Sequence, residues 1–254
     1  MGQFVQTAID GHILTVTLDR PEVLNALHAP ACHELAAIWD HFAADDDLWI
    51  AIVTGAGKAF CAGHDLVDGF FDAMPDSGWA GLARREGLNK PLICAVHGYA
   101  FGGGWEIAMA CDIVVADVGA QFALPEPRVG FAALGGGANR LARRLPWHVA
   151  MGVLLTGNRM DAQTAHRWGA VTEVAPAGTA LAVARRYAED ILKCAPQAVR
   201  ATKEAARAAF EPDAAERDLH ALSVRLAEHL TNLEDTREGL AAFAQKRTPA
   251  WSGR

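Results

Sequence analysis

The chain has 254 residues, of which 51% are hydrophobic and 21% charged, and these globular values exclude a disordered protein. With 23 basic against 30 acidic side chains the formal net charge is −7, which argues against a nucleic-acid partner because such binding usually needs a basic face. No apolar run approaches the length of a membrane span, and the N-terminus lacks the features of a secretory signal. We therefore expect a cytoplasmic protein with no nucleic-acid or membrane partner.

Cysteine and serine usage excludes two further classes. The five cysteines are widely spaced and form no CxxC pair, so a disulfide framework or a structural zinc site is not expected. The chain has only three serines, and none lies in a GxSxG motif. A hydrolase with a nucleophile elbow is therefore excluded.

The first two thirds of the chain predict strands that alternate with helices. Leu35, Ile38, Trp39 and Phe42 form an apolar stripe at helical spacing, and residues 105–110 form a second, short helix. Residues 67–90 are rich in glycine and are expected to be a mobile segment with a short helix. Apolar runs ended by turn residues predict strands over residues 13–18, 49–54, 92–97, 113–116, 121–124 and 171–174.

From residue 138 the pattern becomes helical. Proline and asparagine separate successive predicted helices over residues 177–194, 197–210, 213–230 and 234–245. The alternation upstream indicates an α/β fold. The change in composition near residue 195 divides the chain into a core with the functional site, 1–195, and a helical region, 196–254.

Two segments carry the chemistry. Residues 60–66 include Gly63-His64-Asp65, and residues 97–106 place three glycines between a strand and a helix. Glycines there let a ligand approach the backbone, and the N–H groups of a helix N-terminus favour negative charge. Glu106 and Glu126 are candidate functional acids, but each also has a purely structural explanation. Glu106 could be a carboxylate that interacts with the helix dipole, and Glu126 a solvated acid in a turn. His64-Asp65 has no third ligand spaced near it, so no metal site is expected.

Motifs along nearly the whole chain resemble the enoyl-CoA hydratase/isomerase (crotonase) superfamily. They are Arg20–Leu27 (RPEVLNAL), Ala62–Asp65 (AGHD), Gly98–Glu106, Ala110–Asp112 (ACD), Phe122–Glu126 (FALPE), Leu155–Gly157, Glu238-Gly239 and Ala242–Arg247. The resemblance implies a spiral of ββα units followed by a C-terminal helical trimerisation region. It also implies a homotrimer, or a hexamer of two stacked trimers.

The resemblance implies an acyl-CoA substrate, with coenzyme A as part of the substrate and no other cofactor. The backbone N–H groups of His64 and Gly103 would bind the thioester oxygen as an enolate forms, and the loss of one such donor typically costs about 3–4 kcal/mol. Glu106 and Glu126 match the two glutamates that hold one water in hydratases of the superfamily. Of the two, Glu126 is predicted to give a proton to the α-carbon and Glu106 to activate the water.

Further substrate-binding residues follow from the resemblance. Relatives have a glycine near the catalytic water where this chain has Leu134, so the leucine side chain is expected to crowd the site. Lys246 would reach a CoA phosphate, or it is simply a lysine near a helix C-terminus, where the dipole favours it. The complete predicted substrate-binding set is Leu24, Ala26, Ala62, Asp65, Leu66, Leu134, Phe243 and Lys246.

Having both acids favours an enoyl-CoA hydratase, which adds water reversibly to a 2-enoyl-CoA. Alternatives within the superfamily are an enoyl-CoA isomerase, which commonly keeps only the acid at position 126, and a carnitinyl-CoA-type dehydratase with the same pair. An alternative from another class is a non-catalytic or RNA-binding relative on the same fold. The net charge of −7 and the intact acid pair both argue against that last alternative.

Overall fold

The computed structural model describes residues 2–66, 74–210 and 216–254, without the side chains of residues 216–223, 243 and 244. The strands are β1 (Val5–Asp10), β2 (Ile13–Leu18), β3 (Ile50–Gly55), β4 (Leu92–Val96), β5 (Tyr99–Phe101), β6 (Ile113–Asp117), β7 (Gln121–Ala123), β8 (Met160–Asp161) and β9 (Glu173–Ala175). The helices are α1 (Ala29–Ala44), α2 (Gly103–Ala110), α3 (Gly137–Arg144), α4 (Trp147–Thr156), α5 (Ala162–Arg167), α6 (Ala180–Leu192), α7 (Pro196–Ala209), α8 (Glu216–Thr231) and α9 (Glu234–Gln245).

Two sheets organise the core. The larger has the strand order β1-β2-β3-β4-β6-β9, in which β1 and β2 are antiparallel and every other neighbouring pair is parallel. The smaller has the order β5-β7-β8, with β5 and β7 parallel. Strands connected through helices into a parallel sheet confirm the predicted α/β class.

The two faces of the larger sheet pack against different helices. On one face, α1 contributes Leu35, Trp39 and Phe42, and α2 contributes Trp105, all fully buried. On the other face, α6 packs on β3, β4 and β6 through alanines spaced four residues apart. Because alanine adds so little bulk, α6 lies close to the sheet and covers Ile52, Ile93 and Val115.

Most predicted elements are confirmed. The strands predicted at 13–18, 49–54, 92–97, 113–116 and 121–124 agree with β2, β3, β4, β6 and β7 to within one residue. The helix predicted at 105–110 begins earlier, at Gly103, and the four C-terminal helices are present. Residues 67–73 of the expected mobile segment lie outside the described residues, and its described part has one 3₁₀ turn, Trp79–Gly81.

Polar contacts tie α7 to the core and α9 to the end of the chain. Lys203 of α7 places its Nζ 2.7 Å from Asp112 Oδ2 and 2.8 Å from the carbonyl oxygen of Lys90. At the chain end, buried Asp235 accepts hydrogen bonds from the N–H groups of Ser252 and Gly253. The division predicted at 195/196 coincides with the start of α7, and as a division into two regions it stays a prediction. None of the described helices is long and apolar enough to cross a membrane.

Candidate active site

Four chain segments run side by side and bring the predicted catalytic residues to one edge. The N–H of Leu27 donates to Gly63 O at 2.8 Å, which joins segment 24–27 to segment 61–64. On its other side, the Cys61 carbonyl accepts from Phe101 N–H at 3.0 Å. Strand β7 lies next to β5, and Gly102 N–H donates to Ala123 O at 2.8 Å. His64 ends segment 61–64, Gly103 follows β5 after Gly102, and Glu126 follows β7 after Leu124 and Pro125.

The amides of His64 and Gly103 are directed to this edge by local geometry. Gly63 O and Asp65 N–H both hydrogen-bond to Leu27. The His64 N–H belongs to the same trans peptide group as Gly63 O, so it points to the side opposite Leu27. Gly103 begins α2, so its N–H has no acceptor within the helix.

Gly63 allows this close approach. Its φ of +101° lies in the left-handed region, and a Cβ there would lie 2.8 Å from Phe101 O and 3.3 Å from Gly103 N. A side chain would therefore force the two segments apart.

Glu106 lies in the first turn of α2 and is only 5% exposed. Its Oε1 accepts a hydrogen bond of 2.9 Å from the N–H of Gly137. A Cβ on Gly135 would lie 2.3 Å from Glu106 Oε2, so the glycine run before α3 leaves room for the carboxyl group. The backbone of α3 thus fixes where this acid points.

Glu126 follows β7 and is half-buried. A Cβ on Gly102 would lie 3.0 Å from its Oε1, which places this carboxyl beside the N-terminus of α2. Its Oε2 is buried and accepts no hydrogen bond from any described residue. A buried oxygen without a partner in the fold is uncommon, and contact with a bound ligand or water is one explanation for it.

Burial changes the acidity of both carboxyl groups. It raises the pKa of Glu106 to about 7, against the opposing effect of the Gly137 hydrogen bond and with a further increase from the neighbouring Glu126 charge. Burial also raises the pKa of Glu126 above its usual range. Two acids that titrate closer to neutrality than free glutamate are suited to exchange protons at physiological pH.

A cavity of about 510 Å³ opens along this edge. Its size is typical of a small-molecule site. Its wall includes the two acids, the two amide-bearing residues and apolar side chains. The residues that line it are Ala62, Gly63, His64, Leu66, Met74, Gly78, Trp79, Ala83, Arg84, Gly102, Gly103, Glu106, Pro125, Glu126, Val129, Phe131, Ala132, Leu134, Gly135, Gly136 and Asn139.

The residues predicted to contact coenzyme A are partly gathered at one end of this edge. Ala62 N–H donates to Leu24 O at 2.9 Å, and Ala26 follows in the same segment. Leu66 is 53% exposed at the cavity wall. Lys246 is exposed just after α9, and the Phe243 side chain lies outside the described residues. Their contact with coenzyme A stays a prediction.

Asp65, predicted to bind substrate, has a structural partner in this chain. Its Oδ2 forms an ion pair of 3.0 Å with Arg20 Nη2, and both side chains are largely buried. Arg20 also donates to Ala26 O at 2.6 Å. This pair therefore ties segment 24–27 to the segment that carries His64.

Leu134, expected to crowd the site, lies at the cavity wall with 73% of its surface exposed. It is therefore placed at the rim rather than buried between the acids. Sequence reasoning missed the roles of Gly137 as the partner of Glu106 and of Arg20 as the partner of Asp65. The glycine run 135–137 directly before a helix was the available signal for the first, because an exposed N–H there suits a carboxylate.

Comparison with known proteins decides the family. Residues 8–254 match the family model described as enoyl-CoA hydratase/isomerase. The chain belongs to the enoyl-CoA hydratase/isomerase family. It is similar to the carnitinyl-CoA dehydratase of Proteus mirabilis (strain HI4320), with 40% identity over 262 residues and 100% of both chains covered.

Solved structures of the enoyl-CoA hydratase/isomerase family share this fold. An enoyl-CoA hydratase of Mycobacterium tuberculosis H37Rv is 37% identical with a TM-score of 0.92, and 99% of each chain is covered. The enoyl-CoA hydratase EchA1 of Mycobacterium marinum is 36% identical with a TM-score of 0.93 at the same coverage. The crotonase-like fold expected from the sequence is thereby confirmed.

Proposed function

We propose that this member of the family is a hydro-lyase that adds water reversibly to a 2-enoyl-CoA thioester. The observation that supports this most is the pair of acids in the cavity wall, buried Glu106 and half-buried Glu126, at the edge where the amides of His64 and Gly103 also lie. In this proposal the two amides bind the thioester oxygen. Negative charge grows on that oxygen as the enolate forms, so preorganised donors stabilise the transition state more than the ground state.

The two acids would divide the proton transfers. Ionised Glu106 takes a proton from water, whose oxygen forms the new bond to the β-carbon. The electron pair of the double bond moves into the thioester as the enolate, and protonated Glu126 then gives its proton to the α-carbon. Glu106 afterwards releases the proton that it took from water, and Glu126 takes up a proton from solvent, which restores both acids for the next turnover. A pKa of about 7 keeps a useful fraction of Glu106 ionised near neutrality. Coenzyme A is part of the substrate, and no further cofactor enters the proposal.

A second candidate is the dehydration of a 3-hydroxyacyl-CoA of the carnitinyl type, the same chemistry in reverse. It is supported by the name of the relatives that are 40% identical over the full chain, from Proteus mirabilis and from Escherichia coli (strain K12). Both candidates use the same acid pair and the same amides, so they differ in the acyl group that the cavity accepts.

A panel of enoyl-CoA thioesters of varied length and branching tests this proposal. We expect the absorbance of the conjugated thioester to fall on addition of enzyme, and oxygen-18 from labelled water to enter the product at the β-carbon. Carnitinyl-CoA in the same assay should produce a rise in absorbance if the second candidate is correct. Conversion of a 3-enoyl-CoA with no label incorporated would instead identify an isomerase, and no conversion of any thioester would defeat both candidates.

We also expect the chain to assemble as a homotrimer or as a hexamer of two trimers. The C-terminal helices keep apolar side chains at the surface, with Leu240 70% and Val224 42% exposed, and a second copy would cover them. Light scattering coupled to size-exclusion chromatography should give three or six times the chain mass at micromolar concentration. A stable monomer across that concentration range would contradict the assembly.

A further inference from the structure

The first residue of α2 is covered by an indole ring from outside the helix. Trp79 Nε1 donates a hydrogen bond of 3.1 Å to the Gly103 carbonyl. Its ring lies so close that a Cβ on Gly103 would be 2.3 Å from two ring carbons, Cε2 and Cζ2. The centroid of the same ring lies 5.3 Å from that of His64. One side chain therefore touches both residues whose amides form the proposed oxyanion site.

Trp79 is itself held in place by α1. Trp39 Nε1 donates a hydrogen bond of 3.0 Å to Ala80 O. Gly81 packs directly on Ala36, since a Cβ on Gly81 would lie only 2.6 Å from the Ala36 Cα. Arg85 donates to Gly81 O at 2.7 Å and to Ala36 O at 3.1 Å. The turn that carries Trp79 is therefore fixed from several directions.

The backbone of this turn is strained. Ala80 has a φ of +52°, in the left-handed region that favours glycine. Such a conformation persists only where the surrounding contacts determine it, and it is commonly found at functional sites. The hydrogen bonds from Trp39 and Arg85 hold the turn in this conformation. They therefore fix the distance between the Trp79 indole and α2.

We propose that Trp79 is a positioning residue for the oxyanion site, which it serves by fixing the first turn of α2 against segment 61–64. The inference rests on the function proposed above for the His64 and Gly103 amides. Donors for an oxyanion must lie about 2.7–3.1 Å from the oxygen, so a small displacement of Gly103 weakens the bond where charge is greatest. Loss of Trp79 should therefore affect turnover more than binding of the substrate.

Trp79→Phe is the most direct test, because phenylalanine keeps an aromatic ring and removes only the N–H and part of the packing. We expect kcat to fall about tenfold, less than the loss of a whole oxyanion donor because Gly103 is only displaced, with KM changed less than about threefold. Trp147→Phe, at a tryptophan that is 61% exposed on α4, is the matched control and should keep wild-type kinetics.

A spectroscopic readout separates positioning from general damage. A 3-ketoacyl-CoA has an acidic α-carbon, and its enolate absorbs in the near ultraviolet. The wild-type protein should raise the enolate fraction of this bound ligand, and Trp79→Phe should lower that fraction about tenfold. Affinity for a saturated acyl-CoA, which forms no appreciable enolate, should stay within about threefold of wild type, because the shape of the cavity is largely kept.

A double-mutant cycle tests the contact itself. Gly103→Ala should reduce kcat strongly in the wild-type background, since its Cβ would collide with the indole. In the Trp79→Ala background that collision is absent, so the further loss from Gly103→Ala should be at least about fivefold smaller. Thermal unfolding of each variant shows that the comparison is made between folded proteins, and Trp79→Val, which also removes the ring, replaces Trp79→Ala if that variant does not fold.

The outcomes distinguish this inference from the proposed function. Wild-type kcat and wild-type enolate absorbance in Trp79→Phe would overturn it, as would strict additivity in the cycle. A rise in KM with unchanged kcat, matched by weaker binding of saturated acyl-CoA, would make Trp79 only a wall of the acyl cavity and would also overturn it. If the wild-type protein neither hydrates enoyl-CoA nor stabilises the enolate, the proposed function itself fails.

Discussion

Glutamine at either position of the acid pair is expected to slow hydration by at least about 10²-fold, the low end for a positioned acid or base. Glutamine preserves the size of the side chain and can still accept the hydrogen bond that Gly137 N–H donates to Glu106. It cannot exchange a proton, so the loss should appear in kcat more than in KM. Steady-state kinetics of Glu106→Gln and Glu126→Gln on the best enoyl-CoA measures this.

The double variant should be little slower than the slower single variant. Both acids act on one water and one transition state, and groups that act as a unit give strongly non-additive losses. Glu189→Gln, an exposed glutamate on α6, is the matched control and should keep wild-type activity.

Unequal effects of the two substitutions would change the reaction assigned. If Glu106→Gln keeps full activity and Glu126→Gln abolishes it, one acid is sufficient, and an isomerase becomes the better explanation. If neither substitution changes turnover, the acids are structural, and the hydro-lyase proposal is wrong.

Elements with a clear apolar run could be predicted from the sequence, and elements without one could not. Strands β3 and β4 are buried on both faces, so their continuous apolar runs identify them. Strand β1 is an edge strand with mostly exposed side chains, so its sequence has no comparable apolar signal. Strand β5 lies inside the glycine-rich segment 97–106, which is typical of a turn, and β8 has only two residues, so the sequence predicts neither. Strand β7 is as short as β5, but Pro125 ends its apolar run and identifies it.

The identity of the candidate site could be predicted, but its assembly could not. Glu106 and Glu126 were found through a resemblance of motifs, and nothing in their spacing shows that they share one cavity. They meet because segments 61–64, 99–103 and 121–126 align in parallel, which is a property of long-range backbone pairing. The contact of Trp79 with Gly103 and the pairing of Asp65 with Arg20 also depend on tertiary structure.

Glu106→Gln is also expected to make the protein more stable at pH 8 than the wild type. Burial raises the pKa of this acid from 4.5 in the unfolded chain to about 7 in the folded one. The folded state therefore holds its proton more tightly, and stability falls as pH rises from about 4.5 to about 7. Above about pH 7 the free energy of unfolding is lower by the full cost of ionising this carboxyl group, which is only 5% exposed. That cost is about 3 kcal/mol.

Thermal unfolding of wild type and variant at equal concentration measures this at pH 5 and at pH 8. Near pH 5 Glu106 is still largely protonated in the folded protein, so most of the cost of ionising it is absent. The unfolding midpoints of wild type and variant should therefore nearly coincide. At pH 8 the variant should unfold on the order of 5–10 °C higher, and Glu189→Gln should show no such pH-dependent gain. A variant less stable than wild type at pH 8 would mean that the ionised carboxylate is well solvated or paired in the fold. Burial would then not explain the raised pKa of Glu106. The desolvation that raises this pKa towards neutral pH is the same desolvation that lowers the stability of the fold.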